Sequence, residues 1–589
     1  MQANPLIRTL RSHMRAPLRA LALTGALLSA AACVTATEPA GESPAAQPRT
    51  GQTLAGNFLA GRHAQAQRDM DAAAEFISAA LAKDPEKPDL IRRAFILHAA
   101  AGHMDEAVAL SRRLTAIKPD APIANIMLAV DDVRTGNYAA VRERIGRLPD
   151  RGINAFLSPM LRAWTHVGEQ DLDAGLTALT PLRDRDGTRA LYSIQAALLN
   201  DVAGQAHAAE VAYRRAEKGP VGLSYRLVTL LGNLLERGGT PEVARAIYTK
   251  YLQEHADSTL LASAMRRIDA GQTPAPLVDN PAGGLAEGLF DIAGSLRQQR
   301  ARESALVFGR MALHLRPDYP TMQMMVGELL EADRRLVAAN EVLEDISPMS
   351  PFSWSARMRV ARNLDSLERT DEAIAMLEEM AAERADTAEP LIEMGDLLRG
   401  HDRWEEAVSA YDRAFKRIGE PRKRHWSLLY ARGMSLERSK QWPRAEKDFL
   451  KALEFQPEQP YVLNYLGYSW IEKGLHLELA QSMIRKAVSL RPNDGYIVDS
   501  LGWVLYQLGD WKGAVRELER AVELRPEDPI INDHLGDAYW RVGRRNEARF
   551  QWRRVLTLEP EPDLLAKVEE KIVQGLGAAD VKKPGSAGS

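Results

Sequence analysis

The sequence predicts an all-α protein made of one helix pair repeated along the chain, and three observations predict it. The stretch DSLGWVLYQLGDWKGAVRELERAVELRPEDP, which starts at Asp499, returns thirty-four residues later as DHLGDAYWRVGRRNEARFQWRRVLTLEPEPD. A fixed period of this length marks one supersecondary unit stacked many times. Within each copy the apolar residues recur at helical intervals and a turn signal divides them into two runs, 501–508 and 511–524 in the first copy. Ala and Leu dominate the chain, and alternating strand patterns are scarce.

The unit explains its own spacing. Gly509-Asp510 ends the first helix and Arg525-Pro526 ends the second. Gly502 falls inside the first helix, where glycine costs about 1 kcal/mol against alanine. A glycine that recurs there, as Gly536 does, predicts that another helix passes too close for a side chain. Ala514 and Ala521 read the same way, and Leu518 fills the gap between the paired helices. Each pair leaves an apolar side that only the next pair can cover.

The same frame runs upstream through Gly433, Ala445, Phe449, Ala452 and Pro457, and through Gly395, Ala407, Tyr411 and Ala414. It continues through Ala361 with Ala373, Gly327 with Ala339, Ala293 with Ala305 and Ala312, and Gly232 with Ala244 and Tyr248. Near the start Gly61, Ala73, Ile77, Ala80 and Pro85 fit, followed one period later by Phe95, Ala107, Leu114 and Pro119. The unit at Gly467 has one extra residue before Ala480. On these residues the chain resembles the tetratricopeptide (TPR) repeat proteins. That resemblance implies an α-solenoid, a right-handed superhelix of about 13–14 helix-turn-helix repeats over 54–562.

The parts follow in order. Residues 1–33 carry Arg8, Arg11, Arg15 and Arg19, then the apolar run ALALTGALLSAAAC, which is short for a membrane span. A basic start, an apolar middle and small residues at the end describe an export signal, with translation starting at Met1 or Met14. The single cysteine of the chain, Cys33, closes that run. It resembles the lipidated cysteine of bacterial lipoproteins, although Ala30 stands where those favour leucine. The resemblance implies a lipid anchor at Cys33, and Val34 in place of aspartate implies the periplasmic face of the outer membrane; cleavage and release into the soluble periplasm is the alternative. Residues 34–53 are too polar and Pro-rich to fold and read as a tether, spanning roughly 25 Å. An N-terminal array over 54–269, degenerate around 122–187, leads to a Pro- and Gly-rich break at 270–285. A C-terminal array over 286–562, a capping helix over 563–575 and a disordered tail over 576–589 complete the expectation.

Composition limits function. The formal net charge of −3 argues against a general nucleic-acid binder, which needs clustered Lys and Arg. The run Arg422-Lys423-Arg424-His425 between two units reads as a solvated loop. A lone cysteine rules out a disulfide framework within one chain. Asp184-Arg185-Asp186-Gly187 lacks the closing glutamate of a calcium loop. GGLAEG at Gly283 and GQTLAG at Gly51 lack the lysine of a phosphate loop. His98 and His103 are too isolated for a metal site. The expectation is a protein with no catalytic residues, no cofactor and no metal.

In TPR proteins one face of each first helix lines a concave groove. That face here carries Tyr461, Asn464 and Tyr468, then Tyr496, Asp499, Trp503 and Tyr506, then Asp533, Asp537 and Trp540 with Ile530. Aromatics beside polar groups are common anchors of recognition; rings packed between adjacent repeats would give the same pattern. The face is aromatic and acidic, which differs from the basic clamp with which TPR co-chaperones hold a C-terminal carboxylate. The strings YLGYSWIEKG, DSLGWVLYQLGDWKGAVRELERAVEL and HLGDAYWRVGRRNEARFQWRRVL resemble outer-membrane TPR lipoproteins of Gram-negative bacteria, specifically over 461–556. The resemblance implies a scaffold that binds protein partners, among them a periplasmic carboxyl-terminal processing protease and its clients. An accessory lipoprotein of an export or assembly machine, for exopolysaccharide, pili or outer-membrane proteins, is the rival expectation.

Overall fold

The computed structural model describes residues 50–577 apart from 186, 220, 221 and 257. The described residues form antiparallel pairs of α-helices joined by tight turns, with a short 3-10 turn at Lys423–His425 and no strand among them. The sequence motif Arg422–His425 is this turn, closed by the Arg422 backbone N–H donating to the His425 ring at 3.0 Å. No helix of the described residues is long and apolar enough to cross a membrane. The predicted signal, Cys33 and nearly all of the tether and tail lie outside the described residues.

The recurring glycine does what its position predicts. A Cβ on Gly502 would come within 2.5 Å of Leu518, sixteen positions on, and one on Gly395 within 2.5 Å of Tyr411. Gly433 meets Phe449 at 2.6 Å, Gly467 meets Ile484 at 2.8 Å, and Gly61 meets Ile77 at 2.8 Å in the same way. Each large partner is buried between its two helices, as are Ala514 and Ala521. The first helix therefore gives up a side chain so that the second can insert one.

The turn between the paired helices follows a second rule, seven positions after that glycine. Gly509 and Gly543 take φ of 84° and 85° there, the left-handed region glycine favours. The same place is held by Asp402, Lys440 and Arg334, with φ of 58°, 62° and 63°. For these residues the conformation costs roughly 1–2 kcal/mol, so helix pairing sets the turn whatever residue occupies it.

The described residues divide into two compact units, 50–373 and 374–577. The division falls inside the helix Thr370–Glu383 and not at 270–285, where the sequence placed its break. In the first unit the chain after the Pro- and Gly-rich segment turns back into the array before it. Helix Pro281–Gln298 packs on Asn154–Gly168 and Arg189–Val202, and helix Arg302–Leu315 packs on Pro88–Ala101 and Pro122–Arg134. Gly284 lies so close to the Trp164 ring that a Cβ would overlap it, and a Cβ on Gly288 would meet Met160 Sδ at 2.6 Å. The glycines of GGLAEG are thus helical, and Gly284 and Gly288 serve close packing. Polar clasps complete the closure: Arg68 to Asp333 at 2.6 Å, Arg335 to Asp71 at 3.2 Å and His314 to Asp131 at 3.1 Å. The Asn233 side chain donates to the Ala275 carbonyl at 2.8 Å and holds the Pro-rich segment in place.

In the second unit the repeats run from Glu389–Gly400 with Trp404–Ile418 through Pro529–Arg541 with Arg545–Leu556, and the helix Pro562–Gln574 covers the last pair. Because stacked repeats couple mainly to their neighbours, a defect in one unit should stay there. Ala514→Trp forces an indole into a site built for a methyl group, at a cost of about 1–3 kcal/mol. Hydrogen exchange should show lost protection in residues 374–577, with the helices of 54–373 unchanged.

Candidate protein-binding groove

The groove face of the second unit is built by three successive first helices, Pro460–Lys473, Gly495–Gln507 and Pro529–Arg541. Asp494 and Asp528 cap the second and third through the backbone N–H groups of Tyr496, Ile497, Ile530 and Ile531, which satisfies donors otherwise left open at a helix start. The glycine at each crossing fixes the rotation of each helix, so positions 464, 499 and 533 share one level, and 468, 503 and 537 the next.

At the entrance of the face Tyr461 and Tyr496 carry arginines over their rings, Arg491 at 5.9 Å and Arg525 at 5.0 Å. Tyr496 is 37% exposed, and Ile530 on the next repeat is 53% exposed. Asn464 donates to Ser500 Oγ at 3.2 Å, while its Oδ1 is buried without a partner among the described residues. Tyr468 is half-buried, and burial, with Glu472 and Asp499 nearby, pushes its hydroxyl well above the usual phenol range.

The centre of the face is a stack. Trp503 lies flat against His534, with centroids 4.0 Å apart and planes at 17°, and against Tyr506, at 4.8 Å and 7°. The His534 Nδ1 is 2.9 Å from Asp499, and Arg541 Nε donates to the Tyr506 hydroxyl at 3.0 Å. Burial works against a charged imidazole here. Asp499, reinforced by Asp533 and Asp537, outweighs it and holds His534 above its ordinary value of 6.5. A protonated ring over the indole face also gains from the ring's negative quadrupole. Trp503, Tyr506 and Tyr468 stay half-buried, with edges available to a partner.

The far end of the face differs from the expectation of an open groove. Asp533 and Asp537 are buried and both pair with Lys571 of the Pro562–Gln574 helix at 2.8 Å. Asp537 also accepts the Trp552 indole N–H at 3.0 Å. Burial and the neighbouring Asp533 raise the Asp537 carboxyl to about 6, against the pull of Lys571. Trp540 packs on Trp552 at 5.4 Å, donates to the Leu576 carbonyl at 3.3 Å and is covered by Gly575, which has no room for a Cβ. Asp533, Asp537 and Trp540 are therefore docked under the protein's own last helix. Asp499 is likewise buried in its pair with His534 and is not a free acid. The face that remains for a partner is Tyr461, Tyr468, Tyr496, Trp503 and Tyr506.

The sequence pattern of the face alone does not single out His534 or Lys571. Lys571 stands thirty-four residues after Asp537, so the repeat register itself points to the contact. Elsewhere, His98 and His103 approach within 3.3 Å and His98 meets Ser78 Oγ at 2.8 Å, with no metal-holding group among the described residues.

Nuclear magnetic resonance of the His534 ring tests the pair. Its pKa should lie above 6.5, and Asp499→Asn should bring it down. A folded-state value raised above the unfolded one stabilises fully below 6.5 and loses that contribution as pH rises through the folded value. Across that window the urea midpoint of the second unit should fall in wild type and stay level in His534→Gln. Trp552→Ala, which empties a buried site, should cost about 3–5 kcal/mol, whereas Trp503→Ala should cost much less.

Comparison with known protein families agrees with this architecture. A TPR repeat family matches residues 502–543, and tetratricopeptide repeat families match 64–130 and 392–460. The TPR repeat-containing protein PA4667 of Pseudomonas aeruginosa is 29% identical over 196 residues, 33% of this chain and 32% of that one. The chain thus matches about a third of the length of that relative. Among solved structures, the APC/C hetero-tetramer Cut9–Hcn1 is 14% identical with a TM-score of 0.36, covering 88% of this chain and 96% of that one. A tetratricopeptide repeat protein of Parabacteroides merdae is 15% identical with a TM-score of 0.36, covering 43% and 98%. With repeats recognised in the early and the late parts of the chain alike, and helix pairs throughout the described residues, this is a tetratricopeptide-repeat protein with an α-solenoid fold.

Proposed function

We propose that the protein is a non-enzymatic scaffold, anchored by lipid on Cys33 to the periplasmic face of the outer membrane, that holds partner proteins on the aromatic face of its late repeats. The observation that carries the reading is the Trp503 stack, held by His534 and Tyr506 and half-exposed, with the half-buried Tyr468 at the equivalent position of the preceding repeat. Rigid aromatics with polar rims concentrate binding energy because little side-chain entropy is lost on contact. The partner this reading favours is a carboxyl-terminal processing protease together with its clients; support comes from the lipobox-like run ending at Cys33 and from the aromatic strings between 461 and 556. A scaffold of this kind acts by effective concentration: two bound proteins meet as if tethered, and no chemistry by the scaffold is needed.

Three measurements check the proposal. Cys33→Ser should move the protein from the membrane fraction to the soluble one and abolish fatty-acid labelling; a wild-type protein that takes up no label removes the anchor. Affinity purification from membranes with mass spectrometry should identify the partner. Trp503→Ala combined with Tyr468→Ala should then weaken capture about thirtyfold or more, on the scale of tenfold per 1.4 kcal/mol, with the melting temperature nearly unchanged. Undiminished capture by a normally folded double variant would place recognition elsewhere.

A further inference from the structure

The first unit contains a cavity of about 210 Å³ that the groove does not use. It lies between the start of helix Tyr225–Arg237, helix Ala262–Asp269, and the segments around Tyr319 and Phe352, with the Pro274–Leu277 stretch as one wall. The segment that reads from sequence as a break is therefore part of a binding-sized hollow. Leu260, Leu261, Leu277, Pro320, Pro351 and Phe352 supply apolar lining.

The polar lining is unusual in its accounting. Arg226 gives Nε and Nη2 to the Glu287 carboxylate, and Arg316 gives Nη1 to the same group. The Tyr319 hydroxyl donates to Glu287 as well, at 2.5 Å. Arg267 gives Nε and Nη2 to Glu236, which also accepts from Tyr248. Both carboxylates are thus fully engaged. Nη1 of Arg226, Nη2 of Arg316, Nη1 of Arg267 and the Tyr225 hydroxyl donate to no described residue, and all four belong to side chains that line the cavity. Arg226 and Arg316 share one buried carboxylate, so one positive charge is uncompensated by it. Asp318 stands 3.8 Å from Arg316, but its side chain is 90% exposed. Asp291, on the helix of Glu287, has its carboxyl raised by burial to about 7 despite Arg226, and so offsets that charge only in part at neutral pH.

We propose that this cavity binds an organic monocarboxylate carrying an apolar or aromatic side group, either the C-terminal residue of a peptide or a free acid of the same shape. Spare guanidinium and phenol donors meet the two carboxylate oxygens, the charge-assisted pairing that planar guanidinium groups favour. The side group fills the apolar lining. A positive charge that is only partly offset matches a monoanion better than a dianion. The volume lies below the roughly 300–1,000 Å³ of drug-sized ligand sites, which suits a single residue rather than a folded segment.

Isothermal titration of the full chain tests this with three probes: acetyl-Ala-Ala-Phe with a free carboxylate, the same peptide as its C-terminal amide, and N-acetyl-phenylalanine. The free-acid peptide should bind at least tenfold more tightly than the amide. Tyr225→Phe, which removes one donor and little volume, should weaken the acid about fivefold. Ser263→Phe, which fills the hollow from a half-buried position, should weaken it at least tenfold with the helical circular dichroism unchanged. A tripeptide acid tighter than N-acetyl-phenylalanine makes a peptide end the natural source; the reverse order makes it a small free acid. Equal binding of acid and amide, or no heat from either at millimolar concentration with a folded chain, overturns the proposal. So does wild-type affinity in folded Ser263→Phe.

Discussion

The structure depends on one steric exchange repeated along the chain. A first helix surrenders a side chain at one crossing, and the second helix sixteen positions later inserts a large one: Gly502 for Leu518, Gly395 for Tyr411, Gly433 for Phe449. Close approach then buries Ala514 and Ala521 and their counterparts, each with dispersion contacts that no looser crossing would allow. The rotation of each first helix that carries the glycine follows from this crossing. So does the alignment of positions 464, 499 and 533 into one line, and with it the level at which Trp503 meets His534.

Much of this could be read from residues alone, because the exchange is local: both partners lie within one period and recur at a fixed distance. The turn conformations were less legible. Asp402 and Lys440 take left-handed geometry that their residue types disfavour, and only the pairing of the helices on either side imposes it. The segment at 270–285 is hard to read for a different reason. Its prolines and glycines signal interruption, yet Gly284, within it, and Gly288, just after it, are helical and face Trp164 and Met160, more than a hundred residues earlier. A long-range partner leaves no trace in the local pattern.

The binding face shows the same division. The aromatic ladder was visible from register, since Tyr468 and Trp503 occupy equivalent positions on adjacent repeats. What was not visible is how each acid is spent. Asp499 holds a histidine, and Asp533 and Asp537 hold a lysine from the last helix. Buried carboxylates need such partners, and the need points to Lys571 once burial is known. Residue type suggested an acidic groove; burial turns the acids into supports and leaves the rings as the outward chemistry.

The clasps of the first unit alter how that part of the chain can fold. An open solenoid gains stability one repeat at a time, and any few neighbouring repeats can form first. Here Arg68 reaches Asp333 and Asp71 reaches Arg335, across some 265 residues of sequence. Contacts so distant make folding slow, because a long loop must close before they contribute. The earliest repeats therefore wait, with their inner apolar side uncovered, until helix Arg302–Leu315 exists to fill it. Over that interval the unit is open to chaperones and proteases, and afterwards the helices of 54–373 gain or lose their order together rather than fraying from the end.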